Sequence, residues 1–169
     1  VKTFGERVAD LNAGKVRAVG TNTLRKARNS EAFLQEAAAA FGHPIEVISG
    51  REEARLIYLG VTQDLQQSNQ RRLVVDIGGG STELIVGQGS RPLERDSIQM
   101  GCVTYTMRYF PNGTITHAMF DNAETAARLE LRSRQRRYRE LNWSECLGAS
   151  GTIKAIDAIL RTNGWSRKG

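Results

Sequence analysis

Val74-Val75-Asp76-Ile77-Gly78-Gly79-Gly80-Ser81-Thr82-Glu83-Leu84-Ile85-Val86 is the stretch on which the reading of this chain turns. An apolar run delivers Asp76 to its end, three glycines and a serine follow, and Thr82 opens a second alternating run. Two strands joined by residues this small let backbone amides approach an anion, the outline of a phosphate-binding hairpin. It is not a Walker P-loop, because no Gly-Lys-Ser/Thr follows and the glycines lead into a strand. Nor is it a dinucleotide fingerprint, because Glu83 stands where the last glycine is needed.

Register carries the argument further. A four-residue turn over 78–81 sets Ile77 opposite Thr82 and Asp76 opposite Glu83, with opposed β-carbons about 4.5–5.5 Å apart on one face. Two carboxylates so placed repel, and Mg²⁺, which takes carboxylates, waters and phosphate oxygens, would remove the penalty. The plain alternative is a hairpin with a flexible turn and two solvated acids. Three successive glycines between such strands have little structural justification.

Outward from the hairpin, helical and extended patterns alternate. Upstream, the spacing predicts a helix over 4–11, a strand over 16–19, a helix over 30–41 capped by Ser30 and ended by Gly42 and Pro44, and a strand over 45–48. Ser49-Gly50-Arg51-Glu52 reads as a capping box opening a helix over 50–64, and 66–70 reads as polar loop. Downstream, a third strand over 93–98 completes a meander, and a short helix over 102–110 stops at Pro111-Asn112-Gly113. A longer helix over 121–141 turns Ala123, Ala127, Leu131, Tyr138 and Leu141 to one face, then come a strand over 146–148 and a helix over 153–160. The alternation is α/β with a mixed sheet, with a lobe boundary near Ser49.

Four further patterns bear on chemistry. Glu52 is accounted for by the capping box, whereas Glu53 points about 100° away around the helix. A carboxylate at a helix N-terminus is stabilised as an anion and is available to take a proton from water, although acids there also simply favour the helix dipole. Leu147-Gly148-Ala149-Ser150-Gly151-Thr152-Ile153 is a strand, a small-residue loop and a helix start; it suits an anion, and tight packing would select the same glycines. Arg25, after the strand ending at Val19, would suit a phosphate oxygen or be merely solvated. Arg128, Arg132, Arg134, Arg136, Arg137 and Arg139 crowd one helix, but Glu130 and Glu140 interleave, so a solvated face is favoured over a polyanion track. His43 and His117, isolated in expected loop or turn, receive no chemistry.

Composition limits the classes. A chain of 169 residues with 40% hydrophobic and 25% charged residues has the profile of a globular protein, not a disordered or collagen-like one. No apolar run approaches the roughly 20 residues of a membrane span and no signal peptide opens the sequence, so neither a transmembrane segment nor export is expected. Cys102 and Cys146 lack disulfide or zinc spacing, which makes a cytoplasmic setting the expectation. A net charge of +6 attracts anions without choosing among them, and no nucleic-acid recognition motif accompanies it. The chain opens on Val1 in helical sequence, and is expected to be a piece of something longer.

The hairpin, together with Ile48-Ser49-Gly50-Arg51-Glu52-Glu53-Ala54-Arg55-Leu56, resembles the exopolyphosphatase and guanosine pentaphosphate phosphohydrolase family of the actin-like, sugar kinase and heat-shock ATPase superfamily. Val19-Gly20-Thr21-Asn22-Thr23-Leu24-Arg25, Met100-Gly101-Cys102-Val103 and Gly148-Ala149-Ser150-Gly151-Thr152 extend the resemblance in family order. It implies actin-like (ribonuclease H-like) lobes: the end of the first over 1–49 and the second over 50–169. The family's opening Asp-x-Gly-Ser-Asn hairpin is expected to lie before Val1, and the second lobe to be cut short. By resemblance Glu53 is the catalytic base, Asp76 and Glu83 are the acids near metal and water, and Arg25 contacts phosphate. Gly78, Gly79, Gly80, Ser81 and Thr82 form the phosphate loop, with Gly148, Ser150 and Gly151 as a second phosphate-binding stretch.

The expected activity is hydrolysis of the terminal phosphoanhydride of inorganic polyphosphate or guanosine pentaphosphate by Glu53-activated water with Mg²⁺. A homodimer is a candidate assembly of the full-length protein. Two rivals remain: an ATP-dependent kinase of the same superfamily, and a non-catalytic sensor of polyphosphate or alarmone in which Glu53 is dispensable.

Overall fold

A glycine-ended, alanine-rich helix between two short β-forming segments dictates the start of the architecture. The computed structural model describes residues 1–63, 65 and 69–165. The chain divides into two units, Val1–Gly50 and Arg51–Gly169.

The first unit contains α1 (Lys2–Val8), β1 (Ala18–Gly20), α2 (Asn22–Lys26), α3 (Ser30–Phe41) and β2 (Ile45–Val47). β1 and β2 pair in parallel, Ala18 opposite Ile45, with α3 in the crossover that parallel pairing requires. Gly42 ends α3 at φ +83°, its amide donating to the Ala38 carbonyl, a left-handed cap that glycine adopts without steric cost. α1 stops before the expected Leu11. α2, at five residues, is too short for a hydrophobic period to register in the sequence.

Next come α4 (Gly50–Thr62), β3 (Arg71–Ile77), β4 (Thr82–Gln88), β5 (Arg91–Ile98), α5 (Cys102–Tyr109), α6 (His117–Glu140), β6 (Glu145–Ala149) and α7 (Ser150–Thr162). The sheet order is β5-β4-β3-β6, an antiparallel meander with β6 added parallel to β3, so the expected mixed sheet is present. Pro92 sits on β5, an edge strand, where a missing N–H breaks no central ladder.

α4 and the sheet make the core of the second unit. Ala54, Tyr58 and Thr62, four apart, form the buried stripe, and Ala54 and Tyr58 pack on Val74 and Ile85 with Leu147 beside them. The Tyr58 hydroxyl donates to the Gly89 carbonyl at 3.0 Å, which avoids leaving a buried phenol unsatisfied. Strand alternation sends Leu73 and Leu84 to the other face, where they line an apolar groove with Leu131, Tyr138 and Trp143. Tyr138 anchors α6 by donating to the Leu84 carbonyl at 2.8 Å.

Several boundaries differ from expectation. α6 begins at His117 rather than 121, because the Thr116 hydroxyl accepts from the Met119 amide at 3.2 Å and caps the helix; His117 therefore lies in a helical first turn, not in loop. α4 ends at Thr62, while Asp64 and most of the expected loop, residues 66–68, lie outside the described residues. The arginine run on α6 is divided: Arg137 pairs with Asp96 and lies 3.7 Å from Glu94, Arg134 lies 3.9 Å from Asp96, and Arg128 and Arg136 pair along the helix with Glu124 and Glu140.

Candidate functional site

The hairpin register is the one a four-residue turn dictates. Ile77 stands opposite Thr82 and Asp76 opposite Glu83 across β3 and β4, with 78–81 between them. Asp76 and Glu83 share the sheet face of Val74 and Ile85, against which α4 packs, and α4 carries Glu53. Glu83 is only 2% exposed. Its Oε1 accepts from the Ser97 hydroxyl at 2.7 Å.

Burial raises the Glu83 pKa above the ordinary carboxyl value; hydrogen bonds from Ser97 and Ser81 oppose the rise, and the nearby charges of Glu53 and Asp76 add to it. Burial likewise raises Asp76, and the nearby Ser150 side chain opposes the rise. The carboxylates of Glu53 on α4 and Asp76 on β3 are thus near enough for their charges to bear on Glu83. Such a concentration of acid in a partly desolvated site is costly without a cation. Among the described residues no group of three or more His, Cys, Asp and Glu side chains is arranged to enclose a metal ion.

The glycine loop is held from behind by α5. The Cys102 amide donates to the Gly78 carbonyl at 3.0 Å, and the Val103 and Thr104 amides donate to the Gly79 carbonyl at 2.9 and 3.0 Å. The orphan amides of the helix N-terminus are thereby spent on loop carbonyls. Gly101 makes the approach possible: a β-carbon there would lie 2.5 Å from the backbone of Gly79 and Gly80. Neither Gly78 nor Gly79 has positive φ, so their smallness serves space rather than an unusual backbone conformation. The Thr82 hydroxyl donates to the Met100 carbonyl and tightens the same junction.

The 148–151 stretch arrives beside the loop because β6 pairs with β3, Gly148 opposite Val75 and Ala149 opposite Asp76. The Ser150 hydroxyl donates to the Ile77 carbonyl at 2.8 Å, and Ser150 holds φ +82°, a left-handed conformation that a non-glycine residue adopts only under constraint. Gly148 is explained by packing, since a β-carbon would meet Ile153 at 2.4 Å; around Gly151 the space is open. Thr152 and Cys102 approach to 3.5 Å, so the starts of α5 and α7 converge at the loop.

The structure therefore gathers Glu53, Asp76, Glu83, Gly78, Gly79, Gly80, Ser81, Thr82, Gly148, Ser150 and Gly151 in the second unit. Arg25 belongs to the first, where its guanidinium donates to the Ile48 carbonyl at 2.7 Å. Glu52 receives both arms of Arg55, at 2.8 and 2.7 Å. Sequence reasoning missed Ser97: turn length alone would set Asp96 opposite Glu83, and a register shift between Val86 and Gly87 puts Ser97 there instead.

A family model described as the Ppx/GppA phosphatase family matches residues 1–167. The chain belongs to that family. It is 45% identical over 161 residues to a guanosine-5'-triphosphate,3'-diphosphate pyrophosphatase of Aliivibrio fischeri (strain MJ11), covering 95% of this chain and 32% of that protein. Among solved structures, an exopolyphosphatase-like protein superposes with a TM-score of 0.85 at 30% identity, and the Aquifex aeolicus PPX-GPPA enzyme with 0.73 at 28%. Each covers 95% of this chain, which spans 51% and 52% of theirs. The chain thus spans about a third of the curated relative and half of the solved ones. The fold is the actin-like α/β architecture with a mixed sheet that the sequence resemblance implied. No described helix is long and apolar enough to cross a membrane.

Proposed function

We propose that this chain carries catalytic groups for hydrolysing the terminal phosphoanhydride of inorganic polyphosphate or guanosine pentaphosphate. The observation that carries the reading is the opposition of half-buried Asp76 and buried Glu83 at the mouth of the glycine loop, with the charge of Glu53 alongside. The names of the relatives support the substrate class.

Glu53 accepts a proton from water as the water oxygen attacks the terminal phosphorus; the bond from that phosphorus to the bridging oxygen breaks, and the shortened chain leaves. Amides of the loop, whose carbonyls are tied down by α5, face the phosphate oxygens and need no reorganisation during reaction. Asp76 and Glu83 fit Mg²⁺, which binds through one or two carboxylates together with waters and phosphate oxygens instead of an all-protein cage. Bound there, Mg²⁺ would supply charge neutralisation on the phosphoryl oxygens. Arg25 is a candidate for holding the phosphate chain, residues 1–49 for the end of a first actin-like lobe, and the cytoplasm for its location.

Phosphate release, measured on this chain and on a protein extended to the length of its curated relative, tests the base. Glu53→Gln is expected to lower the rate about 10²–10⁴-fold while polyphosphate binding stays within a few-fold. Near-parental turnover would place the base elsewhere; a sensor, by contrast, would bind without turnover in parent and variant alike. Asp76→Asn and Glu83→Gln are each expected to raise the Mg²⁺ concentration needed for half-maximal rate. Titrations that overlay the parent would remove the metal from this pair.

A further inference from the structure

Ser97 lies on β5, directly across from Glu83 on β4, while Asp76 lies directly across from Glu83 on β3. Glu83 is therefore the middle member of a row, with a carboxylate on one side and a hydroxyl on the other. The Ser97 Oγ donates to Glu83 Oε1 at 2.7 Å, a length in the normal range for a hydroxyl–carboxylate bond. We propose that Ser97 is a positioning residue: its hydroxyl draws the Glu83 carboxylate toward β5 and maintains the gap between Glu83 and Asp76 on which phosphate handling depends. The inference rests on the hydrolase reading above and assigns a role to a residue outside the hairpin.

Three physical points carry it. The last torsion of a glutamate is broad and roughly two-fold, so the side chain itself does not fix the plane of its carboxylate. Repulsion from Asp76 pushes the group away from β3 but sets no direction, whereas a hydrogen bond to a side chain on a paired strand sets both direction and distance. Finally, a carboxylate 2% exposed requires donors in place of water; the Ser97 hydroxyl donates to it, and Ser81 lies near enough to favour its charged form. Ser81 belongs to the loop and shares whatever movement the loop makes on binding phosphate. Ser97 belongs to the sheet, and supplies the fixed reference.

Four proteins at the length of the curated relative decide the matter: parent, Ser97→Ala, Ser97→Thr and Glu83→Gln. The measurements are phosphate release from polyphosphate and, independently of turnover, the Mg²⁺ dependence of polyphosphate binding by calorimetry. Ser97→Ala is expected to lower kcat about tenfold with KM within about twofold, the scale of one hydrogen bond to a charged group, and to raise the Mg²⁺ needed for half-maximal binding severalfold. Ser97→Thr, which keeps the hydroxyl, is expected to restore both. If Ser97→Ala matches the parent while Glu83→Gln is impaired, the role of Ser97 is rejected and the site reading stands. If Glu83→Gln leaves both measurements unchanged, the site reading fails and the inference falls with it. A loss that Ser97→Thr does not recover assigns the effect to packing and also overturns the proposal. Should Ser97→Ala not fold, Ser97→Cys, with a weaker donor of similar shape, must fall between the parent and Glu83→Gln in both readouts, and parental behaviour would reject the role.

Discussion

Asp76 and Glu83 face each other across one backbone ladder, and burial is the largest reason that both resist ionisation. Their folded-state pKa values lie above the ordinary 3.8 and 4.5, so the native chain retains protons that the unfolded chain has released. The stability these groups contribute is complete below the ordinary values and is lost as pH rises through the folded ones. In the absence of divalent metal, Asp76→Asn and Glu83→Gln are therefore expected to raise the melting temperature at about pH 7 and to flatten its decline from about pH 4. Calorimetric melts across that range check the sign, and variants less stable than the parent at neutral pH would contradict it. Acids that destabilise their own fold when ionised are consistent with residues kept for chemistry rather than for stability.

The element that decides the geometry of the loop is α5, through the contact between its N-terminus and the carbonyls of Gly78 and Gly79. That contact depends on the absence of a single side chain. Gly101→Ala would place a β-carbon 2.5 Å from the Gly79 backbone, and main-chain atoms held by strands on either side have little room to yield. The expected cost is about 1–3 kcal/mol, read as a lower denaturation midpoint, with polyphosphate binding weakened because the loop amides lose their alignment. Unchanged stability and binding would mean that the loop is not braced from α5. α6 gives the contrasting case, an arginine-rich helix whose charges are mostly internal business. Arg134 and Arg137 reach acids on β5, and Arg128 and Arg136 reach acids one turn along. A charge run in sequence is thus partly cancelled by its neighbours in space.

At the scale of the whole molecule the net charge is +6, and the loop amides add directional donors without adding formal charge. Polyphosphate binding by the 169-residue chain is therefore expected to weaken as salt rises, because screening reduces the long-range attraction. Calorimetry at two ionic strengths tests this, and superimposable isotherms would assign the affinity to short-range contacts alone. The hairpin was legible in the sequence because its determinants are local: alternation gave the strands, turn length gave the register, and register set Asp76 against Glu83. Gly42 and the glycine-rich junctions were legible for the same reason. The bracing of the loop by α5, the left-handed strain at Ser150 and the hydroxyl of Ser97 on Glu83 were not. Each joins residues from different elements, and no period or spacing in one segment records what another segment places beside it. The sequence by itself determined which groups the hairpin presents; the tertiary structure alone decided what holds them, because holding is done across strands and helix ends that meet only on folding.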